Sequence, residues 1–392
     1  MRLQNRIQPR PEHPIGNPDA LYVHLLQTCK RGYPLCEPGL RFQQREKNDH
    51  GVCVGDVGYI HDDGAFIFLL NIFHPDDDVH SEMTSYQPLD RQEMLSADHP
   101  PGSYVANGVV ETHPRFTPEL DEGISALSFR STSEFGAICA LPRGSTVTKL
   151  ADLSCIREHI SRNATKWYRH LRDFAYRSNG SLYVITGVEK SDAWATLTLE
   201  QRFREGCCAH LISGEDEEGF DCVWQHGSAV TRWHYSTGVV PPVVSNVLSQ
   251  TMFLHGFHIG LGAKRWNQFP RSAYGRWHNT TRVARLFSRL PPWLVSWIWS
   301  WPRWFANEYF SFYPLSYFHP SRLAFEYLSA KAPEAEVIIT HDDEWSSVLN
   351  DTDTERPDPA EMLTRIQRKF RIVNENGTVY LAPRTRRWYQ FW

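Results

Sequence analysis

Residues 51–60 (GVCVGDVGYI) alternate apolar with small residues, and residues 65–73 (AFIFLLNIF) form a second apolar run. His61-Asp62-Asp63-Gly64 lies between them and has the composition of a tight turn. Two runs of this kind across a short turn specify an antiparallel hairpin, so the first half of the chain is expected to be built on β-sheet. Further strand patterns occur at 105–112, 124–141 (ISALSFRSTSEFGAICAL), 181–188 (SLYVITGV), 194–199 (WATLTL), 222–225, 239–244 and 251–261. The pair 181–188 and 194–199 follows the turn Asn179-Gly180 and is expected to form a second hairpin, with the acidic run 215–219 as a loop.

Helical spacing appears in fewer places. Residues 21–30 fit a short helix. Over 149–176, Leu150, Leu153, Ile156, Ile160, Trp167 and Leu171 share one side. These patterns predict an α+β fold, a mostly antiparallel β core with a few helices, over residues 21–262. Residues 1–20, with prolines at 9, 11, 14 and 18, read as a disordered lead. Residues 263–392 read as an aromatic-rich mixed region. It comprises an amphipathic helix at 281–290, a Trp-rich run at 293–304 broken by Pro302, a helix at 321–331, a buried strand at 336–340, a helix at 358–370 and a strand at 377–381.

Charge is distributed unevenly. The net of −4 conceals a stretch, 222–307, that has no Asp or Glu but holds nine Lys or Arg and nine of the 14 Trp. A basic, aromatic and acid-free stretch suits an anionic partner, and an anionic lipid surface is favoured over nucleic acid. The competing explanation is an internal one, in which acidic segments elsewhere in the chain cover a basic face. Arg282, Arg285 and Arg289 share one face of the 281–290 helix and would meet headgroups. Trp297, Trp299 and Trp301 would lie in the interface, where Trp is favoured. No apolar run is long enough for a conventional membrane-spanning helix. The N-terminal residues lack a secretory h-region, so a cytoplasmic, membrane-associated location with reduced cysteines is expected.

Catalytic motifs are sparse. The chain has no G-x-S-x-G, no phosphate-binding Gly-rich loop, no HExxH and no C-x-x-C, so neither a cofactor nor a metal is expected. His and Asp cluster at 61–63, 74–80 and 341–343. An imidazole and a carboxylate at a strand end can act as general acid and base, which makes His61, Asp62, His341 and Asp342 the candidates for an enzymatic site. The same residues also serve as ordinary turn and cap chemistry. His255 and His258 are out of phase for one strand face and read as separate packing residues.

The stretches GVCVGDVGYIHDDGAFIFLLNIF, SNGSLYVITGVEKSDAWATLTL and HPSRLAFEYLSAKAPEAEVIITHDDEW resemble a family of uncharacterised proteins from mushroom-forming fungi, which implies a shared fold without a known activity. A weaker likeness is one of order. Val54-Gly55-Asp56-Val57, Ser133-Glu134-Phe135-Gly136, the helix near 149–176 and Leu182-Tyr183-Val184-Ile185-Thr186 follow the sequence of elements in the gasdermin N-terminal domain. That resemblance implies a membrane-active effector that binds anionic lipid and forms oligomers there. The alternatives are an enzyme with the His/Asp site above, or a module whose aromatic pocket holds a small molecule or peptide.

Overall fold

A computed structural model describes residues 17–36, 38, 51–60, 64–73, 88–90, 92–112, 125–170, 179–200, 208–216, 219–226, 230–236, 250–268 and 319–384. In chain order the elements are α1 (Pro18–Leu26), β1 (Tyr33–Pro34), β2 (Asp56–Ile60), β3 (Phe66–Asn71), β4 (Met94–His99), β5 (Ser103–Asn107), β6 (Val109–Glu111), β7 (Ser125–Ser131), β8 (Phe135–Leu141) and β9 (Ser145–Leu150). The middle of the chain supplies α2 (Ser154–His170), β10 (Leu182–Ser191), β11 (Ala195–Glu200), β12 (Cys208–Asp216), β13 (Gly219–His226), β14 (Val230–Tyr235) and β15 (Gln250–Leu261). The remainder is α3 (Ala263–Trp266), α4 (Ser321–Lys331), β16 (Val337–His341), α5 (Asp342–Ser346), α6 (Pro359–Lys369), β17 (Phe370–Glu375) and β18 (Thr378–Pro383). The fold is α+β with a mostly β core.

The main sheet has ten strands. Its path runs β17-β18-β16-β15-β10-β2-β3, with β1 on β15, and with β9 joining β10 to β4. The pairing is antiparallel except between β16 and β18. The long strands β10 and β15 lie at its centre, and nearly all of their residues are buried. Two four-stranded sheets, β14-β11-β8-β5 and β13-β12-β7-β6, lie beside it.

Three apolar clusters hold the layers together. The largest combines α1, α2 and the central strands around Tyr22, Trp167, Tyr183 and Phe253. A second packs α4, α5 and α6 on Ile338, Val379 and Leu381 around Trp345. The third joins the two four-stranded sheets through Phe129, Ile138, Leu197, Leu211 and Trp224. The period of two in β8 divides its residues between layers: Ala137, Cys139 and Leu141 join the first cluster, Ile138 and Ala140 the third.

Local patterns gave several elements as they stand. The 51–73 hairpin is β2 and β3, paired from Asp56↔Asn71 to Ile60↔Phe66. The helix expected at 321–331 is α4, and that at 358–370 is α6, with the Asp358 side chain capping the Glu361 amide at 2.9 Å. The strands expected at 336–340 and 377–381 are β16 and β18.

Other expectations need correction. Residues 17–20 are not part of a disordered lead. Asn17 accepts from the amides of Asp19 and Ala20, and Pro18 stands at the first helical position, so α1 starts there. Residues 181–199 do not form a hairpin, because β10 gives one edge to β15 and the other to β2 and β9, leaving none for β11. Residues 124–141 are two strands in different sheets: β8 uses both edges for β5 and β11, and β7 pairs with β6 and β12 instead. Of the acidic run expected as a loop, Glu215, Asp216 and Gly219 are strand residues, since β12 and β13 pair as far as Asp216↔Gly219, and residues 217 and 218 lie outside the described residues. The helix expected at 149–176 begins only at Ser154, because β9 claims residues 145–150. The strand expected at 239–244 lies outside the described residues.

The change in composition after 262 is not a break in the sheet. β16 pairs with β15 from Phe257↔His341 to Leu261↔Val337, so the last third of the chain extends the same layer. Close packing of α4 on that layer depends on glycine: a Cβ on Gly260 would lie 2.1 Å from the Phe325 ring, and one on Gly180 2.9 Å from it. Gly260→Ala is therefore expected to lower stability by about 1–3 kcal/mol through overpacking, read as a lower urea midpoint with an unchanged slope.

Candidate functional site

The strand β16 is apolar and fully buried, and it ends in His341-Asp342-Asp343, where the chain turns into α5. His341 caps that helix, its Nδ1 lying 3.2 Å from the Asp343 amide. Three acids in the first turn suit the positive end of the helix dipole. Because the chain changes from extended to helical here, Asp342 and Asp343 enter different surroundings.

Asp342 is completely buried. Its Oδ2 accepts from the Tyr183 hydroxyl and from the Gly256 amide at 2.9 Å. Its Oδ1 accepts from Ser321 Oγ and Trp345 Nε1, each at 2.9 Å. Burial pushes the carboxyl up, while the neighbouring His341 and the donating side chains act in the opposite direction. His319 Nε2 lies 3.5 Å from Oδ1.

His319 is stacked on Tyr33 with ring centroids 4.5 Å apart and meets His258 at 3.9 Å. The amide of Ser321 lies 3.3 Å from His319 Nδ1, and His258 Nδ1 faces the Gly180 carbonyl at 3.3 Å. The Nε2 atoms of both rings are buried without a hydrogen-bond partner. Burial drives His258 down to about 3, and burial together with His258 drives His319 well below the ordinary imidazole range.

The other side of the junction is built across neighbouring strands. Thr186 is the extra residue of a β-bulge in β10, where the register passes from Ile185↔Gly256 to Gly187↔His255. Its Oγ1 lies 2.9 Å from His341 Nε2, and His341 Nδ1 lies 3.3 Å from Asp343 Oδ2. His255 Nδ1 is 4.0 Å from Asp343 Oδ1 and has no hydrogen-bond partner. Gly187 separates Lys149 from His255 in one cross-strand row, and a Cβ there would lie 2.7 Å from Lys149 Cγ. The Asp343 side chain is 48% exposed, so this row reaches solvent, whereas Thr186 and His341 are buried. Packing raises the Asp343 carboxyl, but His341, His255 and Lys149 outweigh it and hold it well below the usual range. Burial lowers both His255, to about 3, and Lys149.

The structure thus places His341 and Asp342 at one junction but in separate networks. His61 and Asp62 lie outside the described residues, as do Arg282, Arg285, Arg289, Trp297, Trp299 and Trp301. Thr186, Asp343, Tyr183 and His319 were not singled out by the sequence. Only Asp343 carried a signal, as the third member of the His-Asp-Asp cluster. In the described part of the acid-free stretch, Arg232 pairs with Asp19 at 3.3 Å and Arg265 with Glu336 at 2.5 Å, so acids from outside the stretch meet these two bases.

Both flanks of residues 269–318 are fixed beside β16. Upstream, the Gly262 amide donates to the Glu336 carbonyl at 3.2 Å, and Trp266 packs edge-on against Tyr168. Downstream, His319 and Ser321 are held at Asp342. No protein-family model matches the chain, and no curated protein matches it. Among the described residues, no helix is long and apolar enough to cross a membrane and no His, Cys, Asp and Glu group could hold a metal ion.

Two outcomes follow from these contacts. Asp342→Ala strands four buried donors and is expected to cost about 3 kcal/mol or more, measured by urea denaturation. The second concerns pH. His258 is depressed when folded, so its contribution is present above its unfolded value and lost as pH falls below about 6.5. Compared with wild type, His258→Asn should reduce the loss of stability between pH 6.5 and 5 by about 1.4 kcal/mol per pH unit; equal pH slopes would contradict this.

Proposed function

We propose that the protein is a membrane-active effector that engages anionic lipid through the Trp-rich part of its acid-free stretch. The observation that carries this reading is the composition of residues 269–318 between two fixed flanks. These fifty residues contain six Arg, six Trp and a single acid, Glu308. The two described arginines of the stretch have acids within the fold. The six Arg of 269–318 have one acid among them in sequence, and that imbalance favours an anionic surface. Each base near such a surface contributes about 1 kcal/mol, and Trp adds a preference for the headgroup layer. The gasdermin-like order of elements supports an effector that goes on to oligomerise and permeabilise the bilayer.

Flotation of the full chain with vesicles of phosphatidylcholine, with or without phosphatidylserine, tests the reading. Binding is expected only with phosphatidylserine and should fall steeply with salt. The triple variant Arg282→Gln, Arg285→Gln and Arg289→Gln should weaken it roughly 100-fold. Trp297→Ala, Trp299→Ala and Trp301→Ala together should lower binding and release of a trapped dye. Binding that ignores lipid charge, or survives the arginine substitutions, sinks the proposal.

A further inference from the structure

We propose that β17 is the docking edge for a second copy of this chain, which pairs with it antiparallel and continues the main sheet across a two-fold axis. This association is independent of the membrane reading. β17 ends the sheet path, and among the described residues it pairs with β18 alone. Exposed sheet edges are ordinarily guarded by proline, lysine or a bulge. β17 contains no Pro or Lys, and it pairs with β18 from Phe370↔Pro383 to Glu375↔Thr378 without a register shift. At the other end of the path, β3 meets β2 through a register shift. Ile372 stands on the unguarded edge, 38% exposed.

The ladder to β18 decides which backbone groups point outward. Bonded and non-bonded pairs alternate along antiparallel strands. The Arg384 amide donates to the Lys369 carbonyl at 3.0 Å, and Pro383, opposite Phe370, has no amide to give. Lys369, Arg371, Val373 and Glu375 therefore turn their backbone groups toward β18. Ile372 and Asn374 turn theirs away from it. A second copy must meet these outward groups with outward groups of its own, so its two-fold axis is centred on Ile372, Val373 or Asn374.

Side chains and neighbours choose among the three. Centring on Ile372 sets Asn374 against the partner's Phe370, whose carbonyl in each copy already accepts from Arg384 Nε at 3.0 Å. Centring on Asn374 runs Ile372 into the partner's Asn376, which is in the turn at φ 51°. Centring on Val373 pairs Ile372 with the partner's Asn374 on both sides of the axis, and each pair exchanges both of its backbone bonds. The same register sets Arg371 opposite the partner's Glu375, again on both sides. Both side chains are exposed, and they meet at non-hydrogen-bonded positions, where opposed side chains come closest. Between these charges Val373 faces the partner's Val373, with Tyr380 beside it in β18. A slip of two residues in either direction separates both charges from their partners.

Sedimentation velocity of the full-length protein without lipid tests the association. A reversible dimer is expected, with a dissociation constant on the order of 10–100 μM for an interface of one strand. Arg371→Glu or Glu375→Arg alone sets like charges opposite each other on both sides and should raise that constant roughly 30-fold. An equimolar mixture of the two variants should recover wild-type association as a heterodimer, which a folding defect in either could not produce. Val373→Cys under mild oxidation should give a disulfide between residue 373 of the two copies, identified by peptide mapping. A wild type that stays monomeric up to about 1 mM overturns the proposal. So do single variants that associate like the wild type, a mixture without recovery, or a dimer that does not link at residue 373. No lipid is present in these measurements, so their failure leaves the membrane reading standing.

Discussion

A single buried carboxylate organises the junction between the middle and the end of this chain. Taking an ion out of water costs several kcal/mol, and the cost is met only where geometry supplies enough partners. Asp342 receives its donors from β10 through Tyr183, from β15 through the Gly256 amide, from α4 through Ser321 and from its own helix through Trp345. These elements lie far apart in sequence, yet one side chain requires all of them at once. A second buried acid works on the same principle. Glu189 pairs with Arg31 and accepts from Ser145 at 2.6 Å, fixing the chain before β1 and the start of β9 against β10. Charge inside this fold therefore specifies which segments meet, while the apolar clusters supply most of the stabilisation.

The layer arrangement follows from how two strands use their edges. β10 and β8 each have both edges occupied, the first in the main sheet and the second in its neighbour. The chain passes from one sheet to the other in the short links around 142–144 and 192–194. Ser191 Oγ donates to the Gly144 carbonyl at 2.7 Å and so ties the two links together. Gly144, at φ +82°, permits the tight turn on one side of that contact.

This explains which parts of the fold were legible in the sequence. The β2–β3 hairpin, α4, α6 and β16 are set by neighbours in the chain: alternation, a capping Asp before Pro, an apolar run of strand length. Partner choice for β7, β8, β10 and β11 depends on edges already taken by distant strands, and no local pattern records that. The site shows the same division. His341 and Asp342 were visible as an imidazole and a carboxylate at a strand end. Tyr183 and Thr186 reach them across 159 and 155 residues, and Thr186 in LYVITGV reads as one more strand residue. The direction of each side chain depends on where β16 stops and α5 begins, a shift of one residue that alternation cannot locate.

The acid-free stretch, which first pointed to an anionic partner, has two physical causes within it. β15 lies in its middle and is almost entirely buried between other strands and the helices. A central strand of this kind excludes acids whatever the protein does, since an unpaired carboxylate there would be prohibitively costly. β14 lies at a sheet edge, and its Arg232 already has Asp19. Burial and internal pairing thus account for much of the described part of 222–268, and neither calls for a ligand. What they leave is the charge of 269–318, bounded by flanks that the Asp342 network and the β15–β16 pairing hold in place. The inference of an anionic surface rests on those fifty residues alone, a smaller basis than the composition first offered and one without the contribution of the β core.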